Sequence, residues 1–75
     1  MTERRIRFRN VHDAQTLVRA AGKCDYPVDL RSERFVVDAK SLLDVLCMDL
    51  TRSLTVQYDH ETDPVFDREL AKFCV

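Results

Sequence analysis

The sequence predicts an α+β domain in which one sheet is covered on a single face by helices, and three observations carry that prediction. Short stretches of apolar–polar alternation recur along the chain, at Ile6/Phe8, Val28/Leu30, Phe35/Val37 and Leu54/Val56/Tyr58. Between and after them lie three segments with helical apolar spacing, each with a residue that starts or stops a helix. Strands and helices that are apolar on one side only bury those sides most simply against each other. The order reads strand-helix-strand-strand-helix-strand-helix (βαββαβα) within a single domain over residues 1–75.

Arg5-Ile6-Arg7-Phe8-Arg9 alternates strictly, giving a first strand with Ile6 and Phe8 inward and three arginines outward. Ala14, Leu17, Val18 and Ala21 then fall at i, i+3, i+4 and i+7, and Gly22, the one glycine, stands where that helix should end. Asp25-Tyr26-Pro27 breaks the pattern. Val28 and Leu30 resume alternation as a second strand, with Pro27 at its first position because proline cannot donate to a ladder. Arg31-Ser32-Glu33-Arg34 is a polar turn without glycine, longer than a two-residue hairpin loop, and Phe35 and Val37 define the third strand. In the second helix Leu42, Leu43, Val45, Leu46, Met48 and Leu50 are apolar. Ser41-x-x-Asp44 there reads as a capping box with aspartate in the glutamate position. Leu54, Val56 and Tyr58 form the fourth strand, followed by a polar turn, Asp59-His60-Glu61-Thr62. Asp63 caps a last helix with Pro64 at its first position and an apolar stripe of Phe66, Leu70 and Phe73.

A chain of 75 residues buries only about 60% of its unfolded surface, so it has one small core and no room for a deep internal active site. Twelve basic and 13 acidic residues leave a net charge of −1, which gives no argument for nucleic acid or membrane. The absence of a long apolar run is the expectation of a cytoplasmic protein. Cys24, Cys47 and Cys74 are odd in number and widely spaced, as ordinary reduced thiols are, and suggest neither a disulfide framework nor a zinc site. No phosphate-cradling glycine loop, paired catalytic carboxylates or nucleophile with a partnered base is present, so no enzyme activity, metal or cofactor is expected.

Ala39-Lys40-Ser41-Leu42-Leu43, entered from an alternating strand, resembles the serine-bearing helix start of the HPr family, the histidine-containing phosphocarriers of the bacterial sugar phosphotransferase system (PTS). Leu50-Thr51 with Leu54-Thr55-Val56 is similar to that family's turn into the fourth strand, and Ala14-Gln15 with Leu17-Val18 to its first helix. The resemblance implies an open-faced sandwich, a four-stranded antiparallel sheet with three helices on one face. The family's Gly-Leu-His-x-Arg-Pro loop is missing. Arg9-Asn10-Val11-His12-Asp13-Ala14 stands there, with Asn10 at the ungapped position of the carrier histidine and His12 at that of the arginine. Asp49 and Ser53 also replace two customary glycines. The chain therefore resembles a degenerate or regulatory member of the family.

The resemblance and the residues together nominate sites. His12 is the candidate phosphohistidine, opposed by the carboxylate of Asp13 and otherwise an ordinary surface histidine at a helix start. Ser41 is an N-cap and, by resemblance, a target of a serine kinase, where Lys40 would assist and Asp38 and Asp44 would oppose a phosphate. Lys40, Leu42, Leu43 and Leu46 match positions at which the family meets its partners, a PTS enzyme, kinase or regulator. Leucine surplus to the core would also favour a homodimer. Arg5, Arg7 and Arg9 read as a solvated strand face paired with Asp29 or Asp59, and His60 as solvated. The alternatives to a docking module are an active phosphocarrier using His12 and an unrelated interaction domain.

Overall fold

The structure, a computed structural model, describes residues 1–61 and 63–75; Thr62, the end of the expected 59–62 turn, lies outside the described residues. Its elements run β1 (Thr2–Ile6), α1 (Val11–Gly22), β2 (Val28–Arg31), β3 (Val36–Asp38), α2 (Leu42–Leu46), β4 (Leu54–Tyr58) and α3 (Pro64–Ala71). The four strands form one antiparallel open sheet, as expected, and their order is β1-β4-β2-β3, with β4 and β2 inside and β1 and β3 at the edges. Ile6, Val28, Leu30, Leu54 and Val56 are essentially fully buried on the helix side, against Leu17 of α1, Val45 of α2 and Leu70 of α3.

The first strand lies earlier than its alternation suggests. β1 pairs with β4 from Thr2↔Tyr58 to Ile6↔Leu54, and Leu54 is where β4 begins, so no partner remains beyond Ile6. The chain's last residues take over: the Arg7 amide donates to the Phe73 carbonyl at 2.9 Å, and the Val75 amide to the Arg5 carbonyl at 3.3 Å. Phe8 is buried as expected, but as a loop residue whose ring meets Phe73 edge-on, 5.8 Å between centroids. The arginine row is corrected with it. Only Arg5 stands on the strand; Arg7 reaches the Thr51 carbonyl, and Arg9 pairs with Asp13 rather than with Asp29 or Asp59.

Phe35 was expected inward on β3, and it is 63% exposed. Ser32 explains this: its amide donates to the Phe35 carbonyl at 2.8 Å, and its hydroxyl accepts from the Phe35 amide at 3.1 Å. Phe35 therefore closes the turn, and the alternation starts afresh at Val36 (outward) and Val37 (half-buried, opposite Leu30). α2 is also shorter than its leucines predict, five residues rather than a run to Leu50. Past Leu46 the Cys47 and Met48 amides take carbonyls three residues back. Asp49 then captures the Thr51 amide and hydroxyl, so its side chain competes with the backbone for helix continuation.

Ser41 and Asp63 cap α2 and α3 as expected, but the capping box is not closed, since the Ser41 amide donates to the Asp38 carbonyl and not to Asp44. Ser41 Oγ accepts from the Asp44 amide at 3.4 Å, and Asp63 accepts from the Phe66 amide at 3.1 Å, with Pro64 opening α3. All three cysteines are free, Cys24 buried and the other two exposed. Among the described residues no helix is long and apolar enough to cross a membrane.

Candidate functional site

The head of α1 is built on local hydrogen bonds. Asn10 takes an extended conformation at the N-cap, and its Oδ1 accepts from the Asp13 amide at 3.0 Å. Asp13 is buried, 5% exposed, and its carboxylate turns back to accept from the Arg9 amide at 2.9 Å and from the Arg9 guanidinium at 3.1 and 3.4 Å. These bonds, led by the guanidinium, hold the Asp13 carboxyl below its ordinary value. His12 sits one residue before Asp13, exposed, with its carbonyl accepting from the Thr16 hydroxyl at 3.1 Å. Asn10 therefore occupies the cap, its oxygen fills one of the first amides, and the nearest arginine is engaged by a carboxylate.

At α2, Asp38 Oδ1 accepts from the Lys40 amide at 2.9 Å and the Asp38 carbonyl from the Ser41 amide at 3.0 Å, a turn that delivers Ser41 to the cap. The Lys40 ammonium is directed away from Ser41, donating to the Cys24 carbonyl beyond the end of α1 at 2.8 Å. In α2 Val45 is buried and Leu42 half-buried, and in the turns that follow Met48 is buried and Leu50 half-buried. Leu43 is 79% exposed and Leu46 41% exposed. The leucine surplus legible in the sequence is thus an apolar patch one turn long, beside the half-buried hydroxyl of Ser41.

A second cluster was not anticipated. The His60 ring, expected to be merely solvated, stacks on Tyr26 with 4.3 Å between centroids, and Tyr26 stacks on Tyr58 at 5.7 Å. The Tyr26 hydroxyl donates to Asp63 at 2.8 Å and the Tyr58 hydroxyl to Asp67. Burial, then the Asp67 carboxylate, pushes the Tyr58 phenol up to about 12; burial first also raises Tyr26, further still. The cluster ties the start of α3 to β2 and β4. Tyr58 at the end of the β4 alternation, two residues before His60, was its only sequence signal. Among the described residues no three or more His, Cys, Asp or Glu side chains converge as a metal site would.

Compared with known proteins, the chain matches no family model and no curated relative.

Proposed function

We propose that the chain is a non-catalytic, HPr-like protein-binding module of the sugar phosphotransferase system, docking on a PTS enzyme, serine kinase or regulator through α2. The observation that carries this reading is the exposure of Leu43 and Leu46 on a helix whose core contact is already supplied by Val45. A helix that packs on a sheet needs one apolar stripe, and a second one facing water favours a partner. A phosphate on Ser41 would add charge between Asp38 and Asp44 and beside the leucines, switching the docking by repulsion and desolvation. The partners belong to the bacterial cytoplasm, which is the compartment this reading assigns.

A carrier role for His12 is the weaker reading. Its exposure favours it, since a phosphoryl donor could reach the ring. Against it stand the absent loop, the Asn10 oxygen in the Asp13 amide, and the engagement of Arg9 by Asp13. In-line transfer needs a held nucleophile and neutralised charge at the transferred group.

The test is a titration of the isotope-labelled chain with enzyme I and with a serine kinase of HPr, following amide shifts, with intact mass after addition of PEP or ATP. Shifts centred on residues 41–47, abolished by Leu43→Asp, support docking. Stoichiometric acid-labile phosphate lost in His12→Ala would promote the carrier reading. A concentration-dependent dimer that buries Leu43 and Leu46 would assign the patch to self-association. Shifts absent from α2 with both proteins leave an interaction domain of another system.

A further inference from the structure

We propose that the cationic depression at the end of the open sheet face binds a small organic phosphate that carries a planar ring, a ligand of the nucleotide class. Its lining includes none of the α2 leucines, and it stands independently of the docking reading.

The strand register builds it. On the face turned away from the helices, Arg5 of β1 and Arg31 of β2 both lie opposite Thr55 of the inner strand β4, with Val36 of β3 at the end of the row. With strands about 4.8 Å apart, the two arginines flank Thr55 at roughly 10 Å from each other, and the row holds no carboxylate. Two turns form the walls and bring two more guanidinium groups. The Ser32 hydroxyl accepts from the Arg34 and Phe35 amides and so sets the turn that holds them. Asp49 accepts from the Thr51 amide and hydroxyl and pairs with Arg52 at 3.2 Å, setting the other wall. The space between is about 770 Å³, within the range of roughly 300–1,000 Å³ occupied by small-ligand sites.

Three features select the ligand. Of the three carboxylates on the lining, Asp49 is engaged by Arg52 and Thr51, and Glu3 accepts from Gln57 at 2.6 Å. Arg5, Arg31 and Arg34 form no ion pair among the described residues, so three forked donors outnumber the two carboxylates left without a cation, Glu3 and Glu33. Guanidinium forks match phosphate oxygens two at a time. Phe35, 63% exposed on the same lining, offers a ring face that the fold leaves uncovered, the partner a planar ring requires. The next row of the sheet limits the ligand's size. Glu3 and Asp29 flank Gln57 there, with Asp38 beyond Asp29, about 6.7 Å along the strands from the arginines. A long polyanion crossing the sheet would meet the whole acidic row, whereas one phosphate group with its ring on Phe35 would meet only Glu3 at the margin of the depression.

The test follows amide shifts of the labelled chain at low ionic strength during titration with ADP, inorganic phosphate and a short single-stranded oligonucleotide. ADP should shift residues 31–35 and 49–55 saturably, and Arg31→Gln should weaken it about tenfold or more. Phe35→Ala should weaken ADP about fivefold or more while leaving inorganic phosphate unaffected. Both positions are exposed, and an unchanged melting curve checks each variant's fold. No saturable shift, shifts outside these residues, or insensitivity to Arg31→Gln overturns the proposal. Phosphate binding as tightly as ADP would make the depression a bare anion site. An oligonucleotide that binds more tightly than ADP would make it a nucleic-acid surface. Either result also overturns the proposal.

Discussion

Replacing Asp13 by alanine tests whether a buried carboxylate, rather than a phosphate-binding loop, organises the head of α1. The Asp13 side chain is 7% exposed and that of Arg9 77% exposed, so the ion pair is largely screened by solvent and adds little. The bond from the Arg9 amide, 2.9 Å to a charged and buried oxygen, contributes about 1.5 kcal/mol. The loss of that bond lowers the melting temperature of a domain this size by roughly 10 °C. The loss should depend on pH. The folded protein holds Asp13 below its ordinary value of 3.8, so it favours the ionised form. That stabilisation is fully present above the unfolded value and disappears as pH falls through the lower folded one. Urea unfolding of both proteins at neutral pH and well below 3.8 measures the two gaps. A variant as stable as the parent at neutral pH, or a gap undiminished in acid, refutes the reasoning.

The other expectations test the core, the patch and the tyrosines. Leu70→Ala, at a site 1% exposed, should cost about 3 kcal/mol in urea unfolding, and a loss below about 1 kcal/mol would mean that α3 is not anchored there. Leu43→Asp, at a side chain 79% exposed, should alter stability by less than about 1 kcal/mol while removing the partner binding proposed for α2. Tyr58 should stay protonated until about pH 12 and Tyr26 beyond it, followed by tyrosinate absorbance. Since the folded state favours the neutral phenols, their contribution is intact below the unfolded value of 10.0 and declines as pH rises above it. Ionisation of either near 10.0 in the folded protein would contradict the burial assigned to it.

Periodicity and caps were enough to determine the element order, the inward residues of β2 and β4, and the starts of α2 and α3. Each depends on side chains within a few positions of one another, so the local pattern contains the information. The leucine surplus of α2 was legible in the same way, although which leucines face water was not. Tertiary structure decided the rest. β1 ends at Ile6 because β4 begins at Leu54 and the C-terminal residues claim the Arg7 amide. Phe35 turns outward because Ser32 takes its amide, and past Leu46 the chain tightens into three-residue turns before Asp49 takes the Thr51 amide. The stacking of His60 on Tyr26 joins positions far apart in the chain. So does the row of Arg5 and Arg31 about Thr55, which exists only through pairing across three strands. Charge composition averages such a row against the acidic one beside it, and the net −1 of the sequence conceals both. Register alone separates them, because it sets which side chains stand next to each other on the open face.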